Sequence, residues 1–153
     1  MNEEVRSEIE KLLKQEITEA KVVQLFYYIG KILQQNTVTY YELSILDSYL
    51  RDQYGMLISL SKKNLIRMMK FYQMSYTIPL SKLSKIDWNC YILLINKKDY
   101  TTLIQVCSQH HLNKRELENY LKTGRISKIA MHYKDPATEE FLKLQINLNK
   151  RSI

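Results

Sequence analysis

Residues 61–76 read SKKNLIRMMKFYQMSY, and this stretch decides the class of the fold. Leu65, Met68, Met69, Tyr72 and Tyr76 recur at helical spacing and form one apolar stripe. Ser61 precedes them as an N-cap, its hydroxyl able to accept from a free amide of the first turn. Lys63, Arg67 and Lys70 fall at i, i+4 and i+7 on another face. Lys62 and Lys63 stand in the first turn, where the helix dipole disfavours cations by roughly 0.3–1 kcal/mol each. Two readings follow: an anionic partner docks on this end, or the lysines form a solvated basic face.

The charge pattern extends outward from this helix. Between Ser61 and Ile86 there are six basic residues (Lys62, Lys63, Arg67, Lys70, Lys82 and Lys85) and no acidic one. The whole chain of 153 residues has a formal net charge of +7, which favours nucleic acid, an acidic protein surface or an anionic membrane face. Residues 1–20 run the other way, with six Glu against Arg6, Lys11 and Lys14, a net of −3. Only three glycines and two prolines punctuate the chain, too few for a strand-and-turn architecture, so the expectation is mainly α.

Reading upstream, residues 3–35 form one amphipathic pattern through Ile9, Leu13, Ile17, Ala20, Val23 and Tyr27, expected as a single long helix. Its second half, VVQLFYYIGKIL, is apolar on more than one side and is expected to be buried, with Gly30 admitting a close neighbour. A polar break at 36–39 leads to a helix over 40–54 with Leu43, Leu46 and Leu50 inward and Gly55 as C-cap. Residues 56–60 are a turn or a short strand. Two helices in this order, the second opening on Ser and Lys, match a helix-turn-helix, and 77–87 reads as a winged loop or a connector. Downstream, Asp87 precedes the apolar WNCYILLIN, and further helices are expected at 98–111 and 113–123. Asn113 with Glu116 makes a capping box for the last of these, and Gly124 ends it. The expected organisation is a helical, DNA-binding-like domain over 1–124 and a basic extension or linker over 125–153, with a short helix at 137–147.

The pieces LFYYIGKIL (25–33), YYELSILDSYLRDQYG (40–55), LSKKNLIRMMKFYQMSY (60–76), IDWNCYILLI (86–95), LNKRELENYL (112–121) and KDPATEEFLKL (134–144) come in the order seen in the YhcG family. The chain resembles that family's N-terminal domain, a winged helix-turn-helix-like region that precedes a PD-(D/E)XK nuclease-like domain. Ser61, Asn64, Leu65, Met68, Phe71 and Tyr72 fit one motif; Trp88, Arg115, Glu116 and Leu117 fit two others. Glu42 stands where the family often has Gly, and Ile86-Asp87 where it often has Leu-Pro. A PD-(D/E)XK site needs carboxylates and a lysine to hold a divalent metal and orient water. The one E-x-K here, Glu19-Ala20-Lys21, lies in an amphipathic pattern with no Asp before it and reads as a solvated helical pair. The resemblance thus implies the binding half without the cutting half: no enzyme, no metal and no cofactor.

Other chemistry is sparse. Cys107 with His110 and His111 is short of a four-ligand zinc set, for which Cys90 and His132 are the only remaining candidates. A Cys–His nucleophile pair has no orienting third group. Two isolated cysteines, no signal-peptide pattern and no run of about 18–20 apolar residues lead to the expectation of a cytoplasmic protein that crosses no membrane. Tyr27, Tyr28, Tyr40, Tyr41, Tyr72 and Tyr76 fall mostly on apolar stripes, which assigns them to core or interface packing; Tyr76, beside the basic segment, is the candidate for another role.

Two functions follow. In the first, the 61–76 helix enters the major groove by its N-terminal end. Lys62, Lys63 and Asn64 lie nearest the bases, Arg67 and Lys70 lie on phosphates, and Lys82 and Lys85 lie on flanking phosphates. In the second, the chain is a protein-interaction or inhibitor module of a phage or mobile element. It acts on a nuclease or defence system, or pairs as a homodimer through LFYYIGKIL.

Overall fold

A computed structural model describes residues 2–15, 22–129 and 135–151. Among these residues there are nine α-helices and no strand: α1 (Glu3–Lys14), α2 (Val22–Gln35), α3 (Tyr40–Tyr54), α4 (Lys62–Met74), α5 (Leu80–Leu83), α6 (Trp88–Leu94), α7 (Tyr100–His110), α8 (Lys114–Thr123) and α9 (Pro136–Arg151). A 3-10 turn at Ile58–Leu60 joins α3 to α4.

Local chemistry sets several of these ends. Thr39 and Glu42 form a capping box at α3, and Asn113 and Glu116 form another at α8. Gly55 and Gly124 close the same two helices at φ +88° and +70°, a backbone region that costs glycine little.

The expected single helix over 3–35 is two helices. Gln15 turns to extended backbone and its amide donates to Leu12 O, ending α1, and α1 then packs against α2. The reason is burial. Val22, Val23, Leu25, Phe26, Ile29 and Leu33 cover more than one side of α2, and a straight continuation of α1 would leave part of that surface in water. Ile17 and Ala20 lie outside the described residues.

The most extensive helix pair is α2 with α4. Trp88 of α6 sits over this pair, with ring centroids 4.9 Å from Phe26 and 5.3 Å from Phe71. Tyr91 joins Phe71 at 4.5 Å, and Phe141 of α9 joins Phe26 at 6.4 Å. Edge-on pairs of this kind add about 0.5–1.5 kcal/mol each beyond the area they bury. Four helices are thereby tied at one aromatic centre.

Phe141 and Leu144 place α9 in the same core, so 136–151 is no appendage, and the helix is longer than the 137–147 expected. Gln145 donates to the carbonyls of Leu13 and Gln15 at the end of α1, and Glu140 accepts the Ser59 amide at 2.6 Å. Asp135 binds the amides of Ala137 and Asn89, holding the starts of α9 and α6 together. Residues 77–87 form a connector rather than a β-wing. Leu83 and Ile86 are buried, and the Tyr91 hydroxyl donates to Leu83 O.

Glu116 does more than cap α8. Its carboxylate also accepts from the Ile129 amide at 2.8 Å and from Lys128 Nζ at 3.1 Å, while Lys128 bonds the last carbonyls of α7, those of His110 and His111. Burial alone would raise this carboxyl. The amides of Asn113 and Ile129 and the Lys128 ammonium overcome burial and hold it below the usual carboxylate range. A lowered native pKa supplies stability that is complete above the unfolded value and is lost as pH falls through the folded one. Glu116→Gln is therefore expected to lower stability by about 2 kcal/mol at neutral pH. It should also flatten the decline of Tm below about pH 4, as read by calorimetry across pH.

Candidate nucleic-acid interface

Ser61 caps α4 as the sequence indicates, accepting from the Asn64 amide at 3.3 Å. A second cap comes from another helix: Asp47 Oδ2 of α3 accepts the Lys62 amide at 2.9 Å, and Asp47 Oδ1 pairs with Arg51 at 3.2 Å. The negative charge that the dipole and the first-turn lysines favour is thus supplied from within the chain. This corrects the reading of the α4 N-terminus as an open seat for an anion.

Asn64 is also corrected. It is 3% exposed, its Nδ2 donates to Ser59 O at 2.7 Å, and its Oδ1 accepts from Trp88 Nε1 at 3.1 Å. A side chain spent on both partners inside the core reads no base. Its burial follows from Trp88, whose indole N–H needs an acceptor in an aromatic core.

The cations of α4 remain at the surface to different degrees. Lys63 and Lys70 are exposed, Lys62 and Arg67 are half-buried, and Arg67 lines a small cleft with Ile58, Ile92 and Glu140. Lys82 and Lys85 are exposed on the α5 turn. Among the described residues, no ion pair involves any of these six. Lys70 Nζ donates to Asn96 Oδ1 at 3.2 Å, which brings the α4 face beside the loop carrying exposed Lys97 and Lys98. The sequence reading missed these two. They are visible only as a Lys-Lys pair, and only the folding of α6 onto α4 puts them there.

The tyrosines divide. Tyr27 and Tyr72 are half-buried as packing residues; Tyr28, Tyr40 and Tyr41 are exposed and so do not belong to the core, and Tyr76, the residue set apart in the sequence, is exposed as well. Tyr27 takes the contact with Tyr72 of α4 and Tyr28 lies beside it in solvent; Tyr40 and Tyr41 are exposed in the first turn of α3. Leu25, Phe26, Ile29, Gly30 and Leu33 of LFYYIGKIL are buried within the chain, which leaves Tyr27, Tyr28, Lys31 and Ile32 as its surface.

Cys107 is buried and its thiol is pushed up to about 11; burial also raises Cys90, beyond the ordinary thiol range. Neither is a thiolate at neutral pH, so Cys107 with exposed His110 makes no activated nucleophile. Among the described residues, no group of three or more His, Cys, Asp or Glu side chains is placed to hold a metal ion. His132 and the Glu19–Lys21 pair lie outside the described residues. No helix among those described is long and apolar enough to cross a membrane.

No protein-family model, curated protein or solved structure matches this chain.

Proposed function

We propose that the chain is a non-catalytic DNA-binding module that grips the phosphate backbone. Lys63, Arg67 and Lys70 of α4 lie on the duplex, and Lys82 and Lys85 contact flanking phosphates. The observation that carries this reading is the run of cations on and after α4: Lys63, Lys70, Lys82 and Lys85 are exposed, none has an ion-pair partner among the described residues, and 61–86 holds no Asp or Glu. The resemblance to the YhcG N-terminal domain supports it. With Asn64 buried, the reading is of backbone rather than sequence, so affinity falls steeply with salt. Buried free thiols at Cys90 and Cys107 suit a reducing compartment such as the cytoplasm.

Fluorescence anisotropy on a random duplex of about thirty base pairs, at low and moderate salt, tests it. Lys63→Glu/Lys70→Glu replaces two exposed side chains. It is expected to weaken binding at least tenfold and to flatten the salt slope by about 1.8. Wild-type protein that does not bind at low salt overturns the reading.

A protein-interaction or inhibitor role, directed at a nuclease or defence protein, has one observation in its favour. Tyr41 and Ile45 stand exposed one helical turn apart on α3. Tyr41→Ser/Ile45→Ser that abolishes a protein complex while leaving duplex binding intact would select this role.

A further inference from the structure

We infer that the row of tyrosines beside α4 takes a single-stranded nucleic acid, its unpaired bases stacking on the outer rings. This rests on the proposed backbone-binding face and extends it to a second substrate class. Four rings touch in series across α2 and the end of α4: Tyr28 to Tyr27 at 5.1 Å, Tyr27 to Tyr72 at 5.4 Å, and Tyr72 to Tyr76 at 5.3 Å. The inner pair is half-buried and tied in place, with Gln35 Nε2 donating to the Tyr72 hydroxyl at 3.4 Å and Gln73 bonding Gln34 at 3.2 Å. The outer pair is open to solvent, Tyr28 at 44% and Tyr76 at 66%.

The electrostatic setting names the occupant. The ladder lies on α2, on α4 and on the turn after α4, none of which carries a carboxylate, and Lys31 stands one turn from Tyr27 and Tyr28 on α2. An apolar protein partner gains nothing from such a field; a polyanion does. Open rings with a cation beside them suit an unpaired strand, because every base offers a π-face and the backbone needs only charge. In a duplex the bases are already stacked on one another, so the outer rings engage only unpaired ones.

The test measures anisotropy of a mixed-sequence single strand of about twenty nucleotides beside the duplex. It uses wild type, Tyr28→Leu/Tyr76→Leu and Tyr28→Phe/Tyr76→Phe, with circular dichroism and sedimentation velocity on each. The expected result is single-strand affinity reduced about fivefold or more by leucine, kept by phenylalanine, and duplex affinity unchanged by either. A leucine variant that binds the single strand like wild type overturns the inference. So does wild type that binds no single strand, and so does leucine that dissociates a wild-type dimer without touching single-strand affinity. The charge-reversed α4 variant on duplex reads the proposed function separately. If duplex binding fails while leucine still abolishes single-strand binding, the backbone-duplex reading falls and the ladder stands.

Discussion

Replacing Gly30 by alanine is expected to destabilise the protein by about 3 kcal/mol and to lower its Tm by about 6–12 °C. In an isolated helix the same change would gain about 1 kcal/mol, because alanine is the better helix former. The sign reverses here because of what stands opposite. A Cβ at Gly30 would lie 2.1 Å from the Met68 carbonyl oxygen and 2.6 Å from its carbon. Both atoms are α4 backbone, so no rotamer change relieves the clash. The α2–α4 pair must open, and Phe26 and Phe71 lose their seat on Trp88 with it. Calorimetry of the single variant decides the point; a Tm at or above wild type would mean the pair adjusts freely.

Asn64→Ala is expected to be about as damaging, near 3 kcal/mol, for a polar reason. It strands the Ser59 carbonyl and the Trp88 indole N–H, each at roughly 1–3 kcal/mol when left buried without a partner. Urea unfolding gives the loss. Conditions under which the variant is still folded give the functional half: duplexes of different sequence should keep their wild-type rank order and spread. A selective loss on one sequence would return Asn64 to base reading and contradict its place in the core.

These two residues also mark the division between what was legible in the sequence and what was not. Gly30 stands out in an apolar run, and close approach is a reading that the run itself invites. The caps at Ser61, at Asn113 with Glu116, and at Gly55 and Gly124 are decided within a few residues, so a local reading finds them. Asn64 looks like a surface polar residue because its partner Trp88 comes 24 positions later. Asp47 is invisible as a cap of α4 for the same reason, lying 15 positions upstream on a different helix. The end of α1 was hidden because its apolar stripe continues in phase beyond Gln15. The place of α9 was missed because Phe141 and Leu144 are sparse in a polar segment, and only their packing on Phe26 and the end of α1 shows their weight. For the candidate site, the row of cations was legible from spacing alone. The exposure of Tyr28 was not, since a stripe of aromatic residues reads the same whether a neighbour covers it or water does; Tyr76 was set apart only by its place beside the basic segment.

The two cysteines carry a consequence for handling and measurement. Cys90 on α6 and Cys107 on α7 are sealed in the core, and both thiols are held protonated by burial. An alkylating reagent therefore reaches neither in the closed state and modifies them only when these helices come apart. Where reclosing is fast relative to modification, the labelling rate follows the equilibrium population of opened molecules. The chain thus carries its own chemical gauge of global opening, read by mass at two positions, and it needs no added probe.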